Sequence, residues 1–303
     1  MCIPFAISSY AVRMSGQYSH DKAGRKSFVA SVIIPAHNEE RTIARNLAAL
    51  LDGAGDSFDV VVVCNGCTDG TADAARAFEP SVRVLEIAEP SKNAAVRLGN
   101  ESSDVFPRVH LDADVELSGS DLRRLIEPLG SLLATAPRRV IPREGCSPVV
   151  RWYYDVWERL PQVRTGLFGR GAFALTEAAQ ERVSALPSVM SDDLATSDAF
   201  AASERRIVES ATVTVRPPRT AGDLIRRRIR VVTGNTQASE LGVRREGSAT
   251  SLSTLGRLAL DQPALAPRII VFLGVTVVAR VRARRAVRAG DFTTWQRDES
   301  SRA

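Results

Sequence analysis

Only four cysteines occur in the 303 residues (Cys2, Cys64, Cys67 and Cys146), too few and too scattered for a disulfide framework. Cys64 and Cys67 form a CxxC, the half-site of a redox or zinc motif. Neither a second CxxC nor a nearby histidine pair accompanies it, which favours reduced, packed thiols in a reducing compartment. No GxGxxG or GxGTR loop follows the first apolar run, and that absence counts against dehydrogenases and nucleotidyltransferases. The N-terminus has neither a basic n-region nor a long apolar h-region, so it does not read as a signal peptide. Residues 1–27 read as a polar, poorly ordered lead-in, with Met14 as an alternative start. The C-terminal apolar run "IIVFLGVTVVA", residues 269–279, is about half the roughly 20 residues a membrane-spanning helix needs. There is no internal repeat.

What is present is globular in composition: 44% apolar and 25% charged residues, enough for one large α/β domain or two modest ones. The net charge of +5 points to anionic partners of unspecified kind. From residue 28 the chain alternates between β-branched runs and helical periodicity. "FVASVIIPAH", "FDVVVVCNG", "VRVLEIA" and "RVHLDAD" read as buried strands. "NEERTIARNLAALLD", "TDGTADAARAFE" (capped by Thr68 or Asp69) and "SKNAAVRLGNES" read as the helices between them. Such alternation predicts a mostly parallel central sheet flanked by helices, with ligands beyond the carboxyl ends of its strands. "PAHNEE", "CNGCTDG", "PSKNAA" and "DAD" all fall at that edge. Asp112 and Asp114, two residues apart at a strand end, share one side of the chain and can hold a divalent cation while leaving room for phosphate oxygens. Beyond residue 135 the rhythm loosens into an aromatic helix ("RWYYDVWERLP"), a pair of short strands ("TGLFGRGAFALT"), a loop entering a helix ("VMSDDLATSDAF"), a strand ("RIVESATVTVRPP") and a basic helix ("AGDLIRRRIRVV").

Taken in order, "SVIIPAHNEERTI", "VVVVCNGCTDGTADAA" and "LDADVEL" resemble the nucleotide-sugar half of family 2 glycosyltransferases, which have the GT-A fold. The resemblance covers residues 31 to about 117 well and continues loosely to about 235. It implies that Pro35, Ala36 and Glu39 line the nucleoside and that Asp112 and Asp114 carry Mn or Mg. The family's paired aspartates beside the base are Cys64 and Asn65 here, and an amide both donates and accepts. UDP- and GDP-linked donors therefore stay open. "SKNAAVRLGN" resembles the family's GKxxAxNxG segment, making Lys92 the candidate diphosphate contact, with Arg97 another basic group in or near the site. Asp192-Asp193 matches the family's acidic pair and implies Asp193 as general base in an inverting transfer, with Asp192 as its neighbour; an N-cap is the structural alternative. "RRRIRVV" resembles the Q/RxxRW element, which assigns Arg227 and Arg230 to the acceptor and diphosphate, although Val231 replaces the tryptophan. "GLFGRGAFAL" resembles the stretch beneath donor sugar and acceptor, where Gly169 and Arg170 are candidates alongside Gly166 and Gly171.

The expected organisation is a GT-A domain over 28–235 (nucleotide half 28–117, acceptor half 118–235), a linker over 236–257 and a basic helical segment over 258–303. The expected function is metal-assisted transfer of a sugar from a nucleotide diphosphate sugar to a hydroxyl on a glycan, lipid or small metabolite. A non-catalytic scaffold of the same fold is the alternative. A cytoplasmic location is expected. Residues 268–288 either pack on the domain or a second subunit, as in a homodimer, or lie at the inner face of the membrane with their arginines toward anionic headgroups. The basic run has no aromatic platform for nucleic acid, and none is expected as a partner.

Overall fold

The computed structural model describes residues 28–53, 57–187, 192–242, 250–288 and 300–302. The lead-in expected over 1–27 lies outside these residues, as do the middle of the expected linker (243–249) and residues 289–299.

Four parallel strands form the first half of the sheet: β1 (Ala30–Ala36), β2 (Phe58–Asn65), β3 (Val82–Ile87) and β4 (Arg108–Leu111), in the order β3-β2-β1-β4. They are joined through α1 (Glu40–Leu51), α2 (Thr71–Arg76) and α3 (Lys92–Glu101). β1 and β2 are apolar at nearly every position because both faces are covered. Val32, Ile34, Val60 and Val62 join the core that contains Ile43 and Leu47 of α1, while Ile33, Val61 and Val63 meet Ala95 of α3. Gly99 permits the close approach of α3, since a Cβ there would stand 2.4 Å from Ile33 Cγ2.

Beyond β4 the sheet is mixed. Its order continues through β7 (Ala172–Leu175), β6 (Ala134–Val140), β8 (Arg205–Val215) and β5 (Val115–Leu117), with β7 antiparallel to both neighbours and β6 parallel to β8. The parallel arrangement expected from the alternation holds throughout the nucleotide half and again for the β6–β8 pair, while β7 and β5 run antiparallel to their neighbours. Two strands, β5 and β6, were not anticipated, and of "TGLFGRGAFALT" only Ala172–Leu175 is a strand. Gly169 and Gly171, both at positive φ, turn the preceding residues into a loop.

Helices α4 (Gly119–Ile126), α6 (Pro161–Thr165) and α7 (Glu177–Ser184) fall between the strands of this half, and a helical layer stands beside the sheet: α5 (Pro148–Trp157), α9 (Ala221–Glu240), α10 (Leu252–Asp261) and α11 (Ala266–Arg288). Its core joins Tyr153, Leu224, Leu255, Phe272 and Val275, and the Tyr153 and Phe272 rings stack at 5.0 Å. The span read as a linker over 236–257 is helical at both ends, since α9 continues to Glu240 and α10 begins at Leu252. The apolar C-terminal stretch is also longer than 269–279. Residues 263–285 are long and apolar enough, by length and composition, to cross a membrane. One face of α11 is nevertheless packed into the protein through Ile269, Phe272, Val275, Ala279 and Ala283.

Candidate active site

All four polar loops anticipated at the carboxyl edge of the parallel strands line one cavity of about 1110 Å³. That is slightly beyond the roughly 300–1,000 Å³ common for small-molecule sites, so two substrates can share it. Pro35, His37 and Glu39 come from the loop after β1, Asn65 from the end of β2, Lys92 from the start of α3. The carboxylates of the loop after β4 and of α8 (Asp192–Asp198) face the same space.

Asp112, Ala113 and Asp114 form a turn between β4 and β5 and not a strand end. Burial still alternates across them, with Ala113 inward and both acids toward the cavity. Two hydrogen bonds to backbone carbonyls fix the turn. The Asp112 N–H donates to the Gly171 carbonyl at 2.7 Å, and the Asn46 amide on α1 donates to the Ala113 carbonyl at 2.7 Å. Gly171 has φ +66°, and a Cβ on it would stand 2.5 Å from Val115 Cγ1, so glycine is required where β7 meets this turn.

Lys92 links the two acidic pairs. Its Nζ lies 2.9 Å from Asp112 Oδ1 and 3.1 Å from Asp192 Oδ2. A lysine in the first turn of a helix opposes the helix dipole. Burial also disfavours its charge, yet Asp112 and Asp192 outweigh both, and the ammonium is held protonated above its ordinary range. Asp112 is pushed up by burial and by the neighbouring Asp114 and Asp192 charges, with Lys92 pulling the other way. Asp193 is likewise raised, first by burial and then by Asp192. Its Oδ2 accepts the Gly169 N–H at 2.8 Å and its Oδ1 the Leu194 N–H at 2.8 Å, so it also ties down the first turn of α8. The structural role and the chemical role are therefore compatible.

Of the sequence candidates, Pro35, Glu39, Asn65, Lys92, Asp112, Asp114, Gly169, Asp192, Asp193, Arg227 and Arg230 line the cavity. Three basic or backbone candidates do not. Ala36 is fully buried, with its carbonyl accepting from the Asn65 amide at 2.8 Å. Arg170 is 3% exposed and donates to the carbonyls of Gly166, Pro137, Val163 and Arg164; it braces the glycine loop and cannot reach a phosphate in the cavity. Burial, with Arg139 nearby, lowers its pKa to about 9. Arg97 points to solvent on α3. The bond from Asn65 to Ala36 accounts for the amide at the end of β2, because a carboxylate could not donate there. Cys64 and Cys67 are free thiols, and burial pushes Cys64 up to about 12.

Sequence reasoning missed His37, whose Nδ1 donates to the Asn65 carbonyl at 2.6 Å, and the aromatic wall of Tyr153, Tyr154, Trp157 and Phe168. The available signal was "WYYDVW", three ring positions brought to one helix face. Arg228 and Asn235 of α9 and Phe272, Arg280 and Arg284 of α11 also line the cavity. Among the described residues no three His, Cys, Asp or Glu side chains form a metal cluster by themselves. Asp112 and Asp114 fit a hard cation in a different way: one or two carboxylates complete an octahedral site when substrate phosphates supply further oxygens.

Sheet order, crossovers and cavity together define an α/β protein of the GT-A glycosyltransferase type. Residues 31–166 match the family model described as glycosyl transferase family 2, the family that the motifs resemble. No curated protein matches the chain in sequence. Among solved structures, the mannosyltransferase PcManGT from Pyrobaculum calidifontis, in complex with GDP-Man and Mn2+, is 19% identical. The alignment covers 85% of this chain and 87% of that one, with a TM-score of 0.61. Glucosyl-3-phosphoglycerate synthase from Mycobacterium tuberculosis, in complex with Mn2+, UDP and phosphoglyceric acid, is 20% identical over 73% of this chain and 81% of that one, with a TM-score of 0.52. Likeness at this level is likeness of fold.

Proposed function

We propose that this protein transfers a sugar from a UDP- or GDP-linked donor to an acceptor hydroxyl with inversion. The observation that carries the reading is the Lys92 bridge between Asp112 and Asp192, which sets a diphosphate-binding cation and the two acidic pairs around one point. The nucleoside lies against Pro35, Glu39 and Asn65, and Lys92 meets the diphosphate. Mn2+ or Mg2+ held by Asp112 and Asp114 with the phosphate oxygens would neutralise charge on the leaving group. Asp193 takes the proton from the acceptor hydroxyl as its oxygen bonds to the anomeric carbon and the bond to the diphosphate breaks. Its raised proton affinity suits that task. GDP-Man bound in one structural relative and UDP bound in the other support the donor class. The enzyme works in the cytoplasm, with the outer face of α11 against an anionic membrane.

Asp193→Asn should lower turnover by about a hundredfold or more, while a thermal shift with UDP or GDP plus Mn2+ stays as in the parent. Unchanged turnover removes Asp193 from the base role. A parent that binds nucleotide with Mn2+ but never releases nucleotide diphosphate from any donor would favour the scaffold alternative.

A further inference from the structure

The cavity does not end at the carboxylates. It continues between α5, α9, α10 and α11 into a chamber walled by Tyr153, Trp157, Phe168, Leu255, Phe272 and Leu273. Leu255 and Phe272 are each 4% exposed, whereas Leu252 at the same end is 75% exposed, so the apolar wall leads outward to the surface. Nothing in the donor chemistry uses this chamber.

Three buried polar atoms of cavity-lining residues have no hydrogen-bond partner among the described residues: the Tyr153 hydroxyl, Arg228 Nε and Asn235 Oδ1. An unsatisfied buried group bears its full desolvation cost, and a ligand that pairs with it removes that cost. The Arg228 guanidinium stands 5.8 Å from the Tyr153 ring centroid, so hydroxyl and guanidinium serve one locality. Burial pushes the Tyr153 phenol up to about 12, which keeps it a donor at neutral pH. Two donors beside the further cations Arg227, Arg230, Arg280 and Arg284 suit an anion. The Asn235 oxygen adds an acceptor for a hydroxyl on the same ligand.

We propose that the acceptor is an anionic amphiphile. Its phosphate-like head accepts from Tyr153 and Arg228, a hydroxyl near the head donates to the Asn235 oxygen, and its hydrocarbon portion lies along Leu255, Phe272 and Leu273 toward Leu252. The acceptor role rests on the glycosyltransferase reading, whereas the ligand chemistry stands on these atoms.

The test is calorimetry on the full chain with dodecyl phosphate below its micelle concentration, inorganic phosphate, and dodecyl maltoside as the neutral amphiphile. Dodecyl phosphate should bind at least about tenfold more tightly than either of the others. Tyr153→Phe and Arg228→Gln should each weaken it about fivefold to tenfold. The nucleotide-induced thermal shift with Mn2+ reports on folding and on the donor site separately. Equal binding of inorganic phosphate would mean an anion site without a chain, and equal binding of dodecyl maltoside a chain site without an anion; either overturns the proposal. Absence of dodecyl phosphate binding alongside an intact nucleotide shift overturns it while sparing the donor reading. Loss of the nucleotide shift alone strikes the donor reading instead.

Discussion

Asp193 is held by two backbone donors and pressed by one carboxylate neighbour, and its behaviour with pH follows from that balance. Burial and Asp192 both raise its pKa, and it can accept a proton only when ionised. Turnover should therefore climb with pH through a value above the ordinary carboxylate range, which lies near about 4. Asp192→Asn removes a negative charge, stabilises the ionised form of Asp193 and should move this acid limb to lower pH, read from kcat against pH. A limb that stays in place would mean that another group controls it. At the same scale His110, one residue before the end of β4, is buried and donates Nε2 to Gln180 Oε1 at 2.8 Å. Burial lowers its pKa to about 4, against about 6.5 for an unfolded chain. Between those two values the unfolded state binds more protons, so stability is fully present above about pH 6.5 and declines as pH falls toward about 4, by roughly 3 kcal/mol in all. Urea midpoints at pH 7 and pH 5 should show the decline. His110→Phe, which keeps the ring against Phe173, should flatten it while lowering stability at pH 7 through the orphaned Gln180 oxygen.

At the scale of elements, the nucleotide half was legible and the acceptor half only partly so. β1, β2 and their helices are legible because both faces of each strand are covered, which writes continuous apolar runs such as "DVVVVC" into the chain. β6 reads poorly because its sequence, "ATAPRRV", carries a proline and two arginines, and it pairs with strands distant in sequence with a register shift at Pro137/Arg138. β5 is three residues long and has no periodicity to detect. The site divides in the same way. Residues on the loops of the parallel strands were found by position, since topology alone brings them to one edge. Arg170 was misassigned because a basic residue between glycines looks the same in sequence whether it faces a ligand or four backbone carbonyls. Tyr153, Arg228 and Asn235 were missed because they converge only when α5, α9 and α11 pack. Gly171 is where the two halves meet, and Gly171→Ala should perturb both its own positive-φ turn and the Asp112 loop it anchors. Weaker Mn2+-dependent nucleotide binding with the fold retained is the expected result in a thermal shift, and unaltered binding would mean that the Asp112 loop does not depend on this contact.

The whole molecule sorts its surface by chemistry along α11. The helix buries Ile269, Phe272, Val275, Ala279 and Ala283 and leaves Ile270, Val277 and Val281 at 70%, 55% and 48% exposure. Exposed arginines 280, 282, 284 and 285 follow at its C-terminal end. A helix crossing a bilayer would expose its whole circumference to lipid, and this one is committed to the protein on one side, so the geometry suits a helix lying along a surface. The exposed Leu252 and Leu260 of α10 extend the apolar area beside it. An anionic lipid surface complements both the stripe and the arginines, and would bring a membrane-held acceptor to the chamber that opens near Leu252. Each arginine near such a surface contributes about 1 kcal/mol, so Arg282→Gln with Arg285→Gln should weaken vesicle binding by roughly thirtyfold. Ile270→Asp with Val277→Asp should weaken it as well, and because these positions are exposed the fold should survive. Flotation with phosphatidylglycerol-rich vesicles against phosphatidylcholine vesicles reads the effect, with high salt reducing binding to the first set. Equal flotation with neutral vesicles would remove the arginines from the account. A concentration-dependent dimer that the same substitutions break, with no vesicle binding, would assign the stripe to a second copy of the chain.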